Sequence, residues 1–255
     1  MTPPLPQEFL QRPIAHRALH DISDGRPENS RAAIRAAIDA GYGIEIDLQL
    51  TADNHAMVFH DYDLGRLTGA TGPIQQITAE HAGAIALKHG TEGIPSFSEI
   101  LELVAGRVPL LVEFKDQDGA MGTDVGPLEQ DAVRALRGYD GPVALMSFNP
   151  NSVAALARLA PNLPRGLVTC SYRPEEELLP QATCDRLRDI PDFDRVGASF
   201  ISHEVADLNR PRVAELKTRG VPILCWTVRS AAQETEARKI ADNVTFEGYL
   251  AKQPA

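Results

Sequence analysis

Residues 43–50, GIEIDLQL, decide how the chain is read. Ile44, Ile46, Leu48 and Leu50 alternate with Glu45, Asp47 and Gln49; this is the two-residue period of a β-strand and places both acids on one face. Alone, the segment fits an antiparallel strand with a wet outer face equally well. A second segment, PLLVEFKD at 109–116, repeats the arrangement, with Val112 and Phe114 opposed to Glu113 and Lys115. Around these two, short apolar runs ending in polar residues alternate with longer helical patterns, the βα rhythm of a parallel sheet. Strands of a parallel barrel are covered on both sides, so polar pairs at the C-terminal ends of two of them point inward to a shared site.

The rhythm predicts strands at Pro13–Arg17, Gly43–Leu50, Pro109–Lys115, Val143–Phe148, Arg165–Cys170, Arg195–Ile201, Pro222–Val228 and Val244–Leu250. Eight such units define an α/β fold, a (β/α)8 TIM barrel. Helices are expected at Asn29–Ala40 after an Asn29/Ser30 cap, at SFSEILELVAG (96–106), at Pro150–Ala160 and at Pro211–Arg219. One stretch breaks the pattern. TADNHAMVFH (51–60) reads as a turn and a returning strand, and Tyr62–Pro95 as an insertion after the second strand, over the rim where barrel active sites are built. No repeat or linker divides the chain, and the whole of 1–255 reads as a single domain with an inserted subdomain at about 62–95.

Composition narrows the function. With 255 residues and 43% hydrophobic content the chain can bury a large core and needs no disulfide or structural metal to hold it. An excess of 35 acidic over 25 basic residues, net −10, disfavours a general nucleic-acid binder. Cys170, Cys184 and Cys225 show no CxxC or zinc-type spacing. With no leader pattern at the start and no apolar run of membrane-spanning length, a cytoplasmic protein without an integral membrane segment is expected.

Three carboxylates, Glu45, Asp47 and Glu113, converging at one barrel mouth would repel one another and lose hydration unless protonated or bound to a cation. All-oxygen ligation suits a hard divalent ion, Mg²⁺ or Ca²⁺. His16 at the end of the first strand and His60 in VFHD flank this cluster and form a candidate acid/base pair. Arg17 and Lys115 add fixed positive charge suited to a phosphate, although pairing with the neighbouring acids is the simpler role for them. In RPENS (26–30), Asn29 reads as a helix N-cap and Glu28 as an additional ligand or orienting group. Trp226, the only tryptophan, either walls a substrate pocket or packs in the core. His203 and Glu204, after GASFIS, are a weaker rim pair, while His20, His55, His81 and His89 are expected to face solvent.

In order along the chain, HR (16–17), PEN (27–29), EIDLQLT (45–51), VFHD (58–61), VEFK (112–115) and WTV (226–228) resemble the glycerophosphodiester phosphodiesterase family. The resemblance implies a TIM barrel with a small insertion and divalent-metal-dependent hydrolysis of glycerophosphodiesters to glycerol 3-phosphate and an alcohol. It places the metal ligands on Glu45, Asp47 and Glu113, the catalytic histidines on His16 and His60, and the phosphate-binding cations on Arg17 and Lys115. It also implies that the substrate's own glycerol hydroxyl attacks, giving a cyclic phosphate that water opens. Two stretches depart from the family pattern: ALHDISDGRP (18–27), where a short Gly-rich loop is usual, and GYLAKQPA (248–255), where an Asp-x-Pro is common. Two other readings of the same residues stay open. Lys115 at a strand end is where an aldolase-like lyase would form a Schiff base, and a silent phosphodiester-binding protein would keep the pocket without turnover. The alcohol head group, the choice between Mg²⁺ and Ca²⁺, the division of acid and base between the histidines, and the oligomeric state are not encoded in these motifs.

Overall fold

Eight parallel strands close on themselves in the computed structural model, which describes residues 2–173 and 178–253. The strands are β1 (Ile14–Ala15), β2 (Gly43–Leu50), β3 (Ala56–Val58), β4 (Leu110–Phe114), β5 (Val143–Ser147), β6 (Arg165–Thr169), β7 (Phe200–Glu204), β8 (Ile223–Val228) and β9 (Asn243–Phe246). Their order is β1-β9-β8-β7-β6-β5-β4-β2, and the β1–β2 pairing closes the ring, as a TIM barrel requires. β3 is the returning strand: it runs antiparallel to β2, with Leu48 opposite Val58. The β2–β4 register sets Asp47 against Glu113 and Glu45 against Leu111, so the acids of both strands arrive at one level of the barrel mouth.

The helices form where the chain supplies caps and an apolar face. In α2 (Arg31–Asp39) the Ser30 hydroxyl accepts from Ala33 N–H, and Ala33, Ile34 and Ala37 are buried. Ser96 and Glu99 make a reciprocal capping box at the start of α4 (Phe97–Val104). Residues 79–84 form α3, and Asn149 caps α6 (Pro150–Leu159), whose first residue is proline. Helices α5 (Pro127–Ala135), α7 (Gln181–Arg188), α8 (Pro211–Thr218) and α9 (Ala231–Ala237) continue the alternation. Among the described residues no helix is long and apolar enough to cross a membrane.

Two apolar layers result. A large one lies between the strands and the outer helices. A smaller one fills the barrel floor with Ile14, Leu111, Ala144, Met146, Val168, Phe200 and Leu224, and Phe9 of α1 (Glu8–Gln11) is buried among them. Asn243 fixes this plug by donating to the carbonyls of Phe9 and Arg12 at 2.7 and 2.5 Å. The N-terminal end of the barrel is thereby sealed and apolar, which leaves the opposite mouth for polar chemistry. Residues 62–95 gather around a cluster of their own with Met57 and Phe59, formed by Leu64, Ile74, Ala82, Leu87 and Ile94.

Five expectations are corrected. The sixth barrel strand, β7, begins at Phe200 rather than Arg195, because residues 192–198 turn: Val196 N–H bonds Asp192 O, Ala198 N–H bonds Phe193 O, and Gly197 sits at φ +59°. His203 and Glu204 therefore end that strand rather than follow it. His203 is fully buried against the Thr169 hydroxyl at 2.7 Å and is not a rim group, whereas Glu204, half-buried at the end of the strand, accepts from Ser171 N–H. The first strand stops at Ala15 because Arg17 and Ala18 take positive φ (52° and 65°), and the last stops at Phe246 before the turn at Gly248. Asn29 is not the helix cap, a role Ser30 performs; at φ 58° it turns its amide toward β2 instead.

The floor is packed to contact. A Cβ on Gly166 of β6 would lie 2.5 Å from the Phe200 ring, which is fully buried and has no room to retreat. Overpacking of this kind costs about 1–3 kcal/mol. Gly166→Ala should accordingly lower the melting temperature by roughly 3–10 °C, as measured by thermal denaturation; an unchanged melting temperature would contradict this account of the floor.

Candidate active site

Glu45, Asp47 and Glu113 are all buried, and one carboxylate oxygen from each lies within 4.8 Å of the others. Such proximity is unfavourable for three anions. Burial, followed by the like charges of Asp47 and Glu113, pushes the Glu45 carboxyl well above its ordinary range. Burial works in the same direction on Asp47, but there the Lys115 ammonium, aided by His60 and Arg17, outweighs it and holds the group well below the usual carboxylate range. Lys115 Nζ lies 2.7 Å from Asp47 Oδ1 and 2.5 Å from Glu113 Oε1. Burial alone would depress this amine, yet the two carboxylates raise it above its usual value, so it is a fixed cation. The donors are all oxygen and carry more negative charge than Lys115 cancels, and the upward push on the Glu45 carboxyl marks the remaining deficit. The set fits a hard divalent cation.

Local backbone geometry brings the first strand's end onto this cluster. With Arg17 and Ala18 in the left-handed region, Arg17 N–H donates to Glu45 Oε2 at 2.9 Å and Ala18 N–H to Glu45 O at 3.0 Å. Arg17 Nε is buried 3.6 Å from Asp47 Oδ2 and has no hydrogen-bond partner among the described residues, while its NH1 donates to Glu28 Oε1 at 2.8 Å. Asn29 Nδ2 donates to Asp47 Oδ2 at 2.9 Å. Glu28 does not join the three-carboxylate cluster: both its oxygens are taken by Arg17 and Arg66, whose charges overcome the upward push of burial and keep it ionised.

Each predicted histidine rests against a carboxylate. His16 Nδ1 lies 2.5 Å from Glu247 Oε2, and His60 Nδ1 lies 2.7 Å from Asp61 Oδ1. Arg66, from the insertion, grips Asp61 with Nε at 2.6 Å and NH2 at 2.8 Å. Burial lowers the His16 pKa, and the hydrogen bond to Glu247 opposes that shift. Glu247 is held well below the ordinary carboxylate range by the hydrogen bond to His16 and then by that to His20. His20 is therefore not simply solvent-facing: its Nε2 is 3.6 Å from Glu247 and its side chain only 24% exposed, whereas His55, His81 and His89 are exposed as expected. Arg229 completes the arrangement by donating from Nε to Glu247 Oε1 at 2.8 Å.

These groups meet in one cavity of about 140 Å³. His16, Arg17, Glu45, His60, Glu113, Lys115 and Trp226 all line it, and Asp47 lies behind them. Trp226 is a wall: its Nε1 donates to Ser202 O at 3.0 Å and its ring meets Phe148 edge-on, with centroids 5.5 Å apart. A larger groove of about 650 Å³ lies alongside, bounded by the 18–28 loop, by Arg66, Leu67, Lys88 and His89 of the insertion, and by residues 246–250. Sequence reading missed Glu247, Asp61, Arg66 and Arg229. Asp61 is adjacent to His60 and was within reach of a motif reading; Glu247 lies 231 residues from its partner, and nothing local marks it.

The chain is similar to known proteins in both sequence and fold. The chain is 33% identical over 165 residues to a glycerophosphodiester phosphodiesterase of Caldanaerobacter subterraneus subsp. tengcongensis, an alignment covering 61% of this chain and 65% of that protein. It is 24% identical over 211 residues to one of Bacillus subtilis, covering 74% and 67%; the chain thus spans about two thirds of the length of these relatives. Among solved structures, a phosphodiesterase of Oleispira antarctica in complex with the product sn-glycerol-3-phosphate superposes with a TM-score of 0.76 over 94% of this chain and 93% of that one, at 22% identity. The profile of the glycerophosphoryl diester phosphodiesterase family matches residues 16–245, nearly the whole chain, which therefore belongs to that family.

Proposed function

We propose that the protein is a divalent-metal-dependent phosphodiesterase that hydrolyses glycerophosphodiesters to glycerol 3-phosphate and an alcohol, with His16 and His60 as its acid/base pair. One observation carries the reading: two carboxylate-tethered imidazoles and two fixed cations share a small cavity with Glu45 and Glu113, and Asp47 is buried beside these two acids. Glu45, Asp47 and Glu113 would hold Mg²⁺ or Ca²⁺, and the bound ion supplies positive charge against the phosphodiester oxygens.

The remaining work falls to side chains. The buried, unpartnered Nε of Arg17 and the ammonium of Lys115 bind phosphate oxygens and offset charge developing on them. With Nδ1 of each imidazole engaged by Glu247 or Asp61, Nε2 is the nitrogen left to face substrate. One ring, neutral, accepts the proton of a glycerol hydroxyl as that oxygen bonds to phosphorus. The other, protonated, gives its proton to the alkoxide as the bond from phosphorus to the leaving oxygen breaks. The roles then reverse, and water opens the cyclic phosphate to glycerol 3-phosphate. The neighbouring groove gives the departing alcohol its way out. Schiff-base chemistry is disfavoured, because Lys115 is bracketed by two carboxylates that keep its amine protonated.

Three outcomes follow from these assignments. His16→Ala and His60→Ala should each lower kcat on glycerophosphocholine by about 10²- to 10⁴-fold with the melting temperature close to that of the wild type; wild-type rates in both variants would refute the acid/base assignment. EDTA should abolish turnover, and restoring Mg²⁺ or Ca²⁺ should both recover it and raise the melting temperature, since the ion binds only the folded acids; full activity in chelator would refute metal dependence. Glu247 favours the protonated form of His16, so Glu247→Gln should lower the His16 pKa, and whichever limb of the kcat/KM pH profile His16 governs should move toward acid. NMR titration of the His16 ring checks this directly, and an unmoved titration would contradict it.

A further inference from the structure

Asp61 and Glu28 come from different loops, and each holds one working group of the cavity. Asp61 Oδ1 lies 2.7 Å from His60 Nδ1, and Glu28 Oε1 accepts from Arg17 NH1 at 2.8 Å. A single atom joins the same two oxygens. Arg66 NH2, from the insertion, donates to Asp61 Oδ1 and to Glu28 Oε1, both at 2.8 Å. The other nitrogens complete two forks, Nε reaching Asp61 Oδ2 at 2.6 Å and NH1 reaching Glu28 Oε2 at 2.8 Å. One rigid plane of N–H donors thus bridges two carboxylates, which the point charge of a lysine ammonium does not reproduce. Arg66 is also held at its base, because Lys88 Nζ donates to the carbonyls of Gly65 and Arg66 at 2.6 and 3.1 Å.

Stability alone gives little reason for this bridge. The Arg66 side chain is 48% exposed, and ion pairs of exposed groups contribute little to folding. Its acids are placed otherwise: the side chains of Glu28 and Asp61 are 13% and 21% exposed, and each turns toward a charged or titratable group that lines the cavity. Without the guanidinium, each carboxylate would lose two hydrogen bonds and could swing together with the group it holds. A phosphate-binding cation and a proton-transferring imidazole act on one phosphorus, so their mutual placement counts; a misplacement of about 1 Å costs on the order of 10²-fold in rate. We propose that Arg66 is a positioning residue of the hydrolysis: through Asp61 and Glu28 it fixes the His60 ring and the Arg17 guanidinium relative to each other. The insertion thereby supplies part of the catalytic geometry without touching substrate. The inference rests on the phosphodiesterase reading and adds a role for a residue outside the cavity.

The test uses the metal-loaded enzyme and glycerophosphocholine. Arg66→Ala should lower kcat by about 10- to 100-fold, while the melting temperature falls by no more than roughly 2–4 °C. Arg66→Lys, which keeps the charge and loses the forks, should recover little of the rate. Guanidinium ion added to Arg66→Ala, at concentrations too low to denature it, should restore part of the rate, and methylammonium should not. Arg66→Gln keeps an amide donor for one acid and should lie between Arg66→Ala and the wild type. In an Asp61→Asn/Glu28→Gln background the Arg66→Ala change should cost almost nothing further, since the groups it acts through are already uncoupled. Wild-type kcat in Arg66→Ala or Arg66→Gln would reduce the residue to a rim ion pair and overturn the proposal. Full repair by Arg66→Lys would overturn it too, as would a loss that persists undiminished in the Asp61→Asn/Glu28→Gln background, the mark of direct contact with substrate. A wild type that turns over no glycerophosphodiester would instead overturn the underlying reading, and the positioning role with it.

Discussion

Three carboxylates confined within 4.8 Å at the mouth of a barrel impose the condition that the rest of the site answers. At that separation and a protein-like effective dielectric, each like-charged pair costs roughly 4 kcal/mol, so the cluster persists only where counter-charge is built in. The surroundings supply it as an alternating series. Glu113 and Asp47 share Lys115, Asp47 faces Arg17, Arg17 binds Glu28, Glu28 binds Arg66, Arg66 binds Asp61, and Asp61 holds His60. Neither cation at the cluster is spare, and neither histidine is isolated.

The barrel makes this arrangement affordable by separating its two ends. Closure of the parallel sheet sets Asp47 against Glu113 without any loop having to carry them. Phe9 and the inward apolar residues occupy the opposite end, so water reaches the acids from one side only. The histidines differ in origin from the acids: His16 follows a strand of two residues, and His60 follows the antiparallel β3. Both lie where loops begin, and both are oriented by carboxylates contributed from loop or strand-end positions, Glu247 and Asp61.

Much of this was legible before any coordinates. The alternation in GIEIDLQL and VEF fixes which residues face inward because a strand has a strict period, and the eightfold recurrence of strand and helix leaves few architectures. The families of residues at the mouth could be named for the same reason, strand ends being the one part of a barrel where polar inward residues are tolerated. What escaped was whatever depends on turns or on distant pairing. Asn29 looks like a cap by composition, and only its left-handed backbone turns it to Asp47. The start of β7 was misplaced because Arg195, Val196 and Ala198 read as strand residues, while the turn is set by hydrogen bonds to Asp192 and Phe193. Glu247 pairs with a histidine at the other end of the chain, and no window of sequence contains both.

Arg66 belongs to the insertion, yet its guanidinium clasps Glu28 on one side and Asp61 on the other. The insertion is consequently wired to both banks of the cavity: through Glu28 to Arg17, and through Asp61 to His60. Grafting a foreign cap in place of residues 62–95 would cut this tie unless a guanidinium returned to the same spot, so the rim and its ornament are bound to diverge together rather than as independent modules.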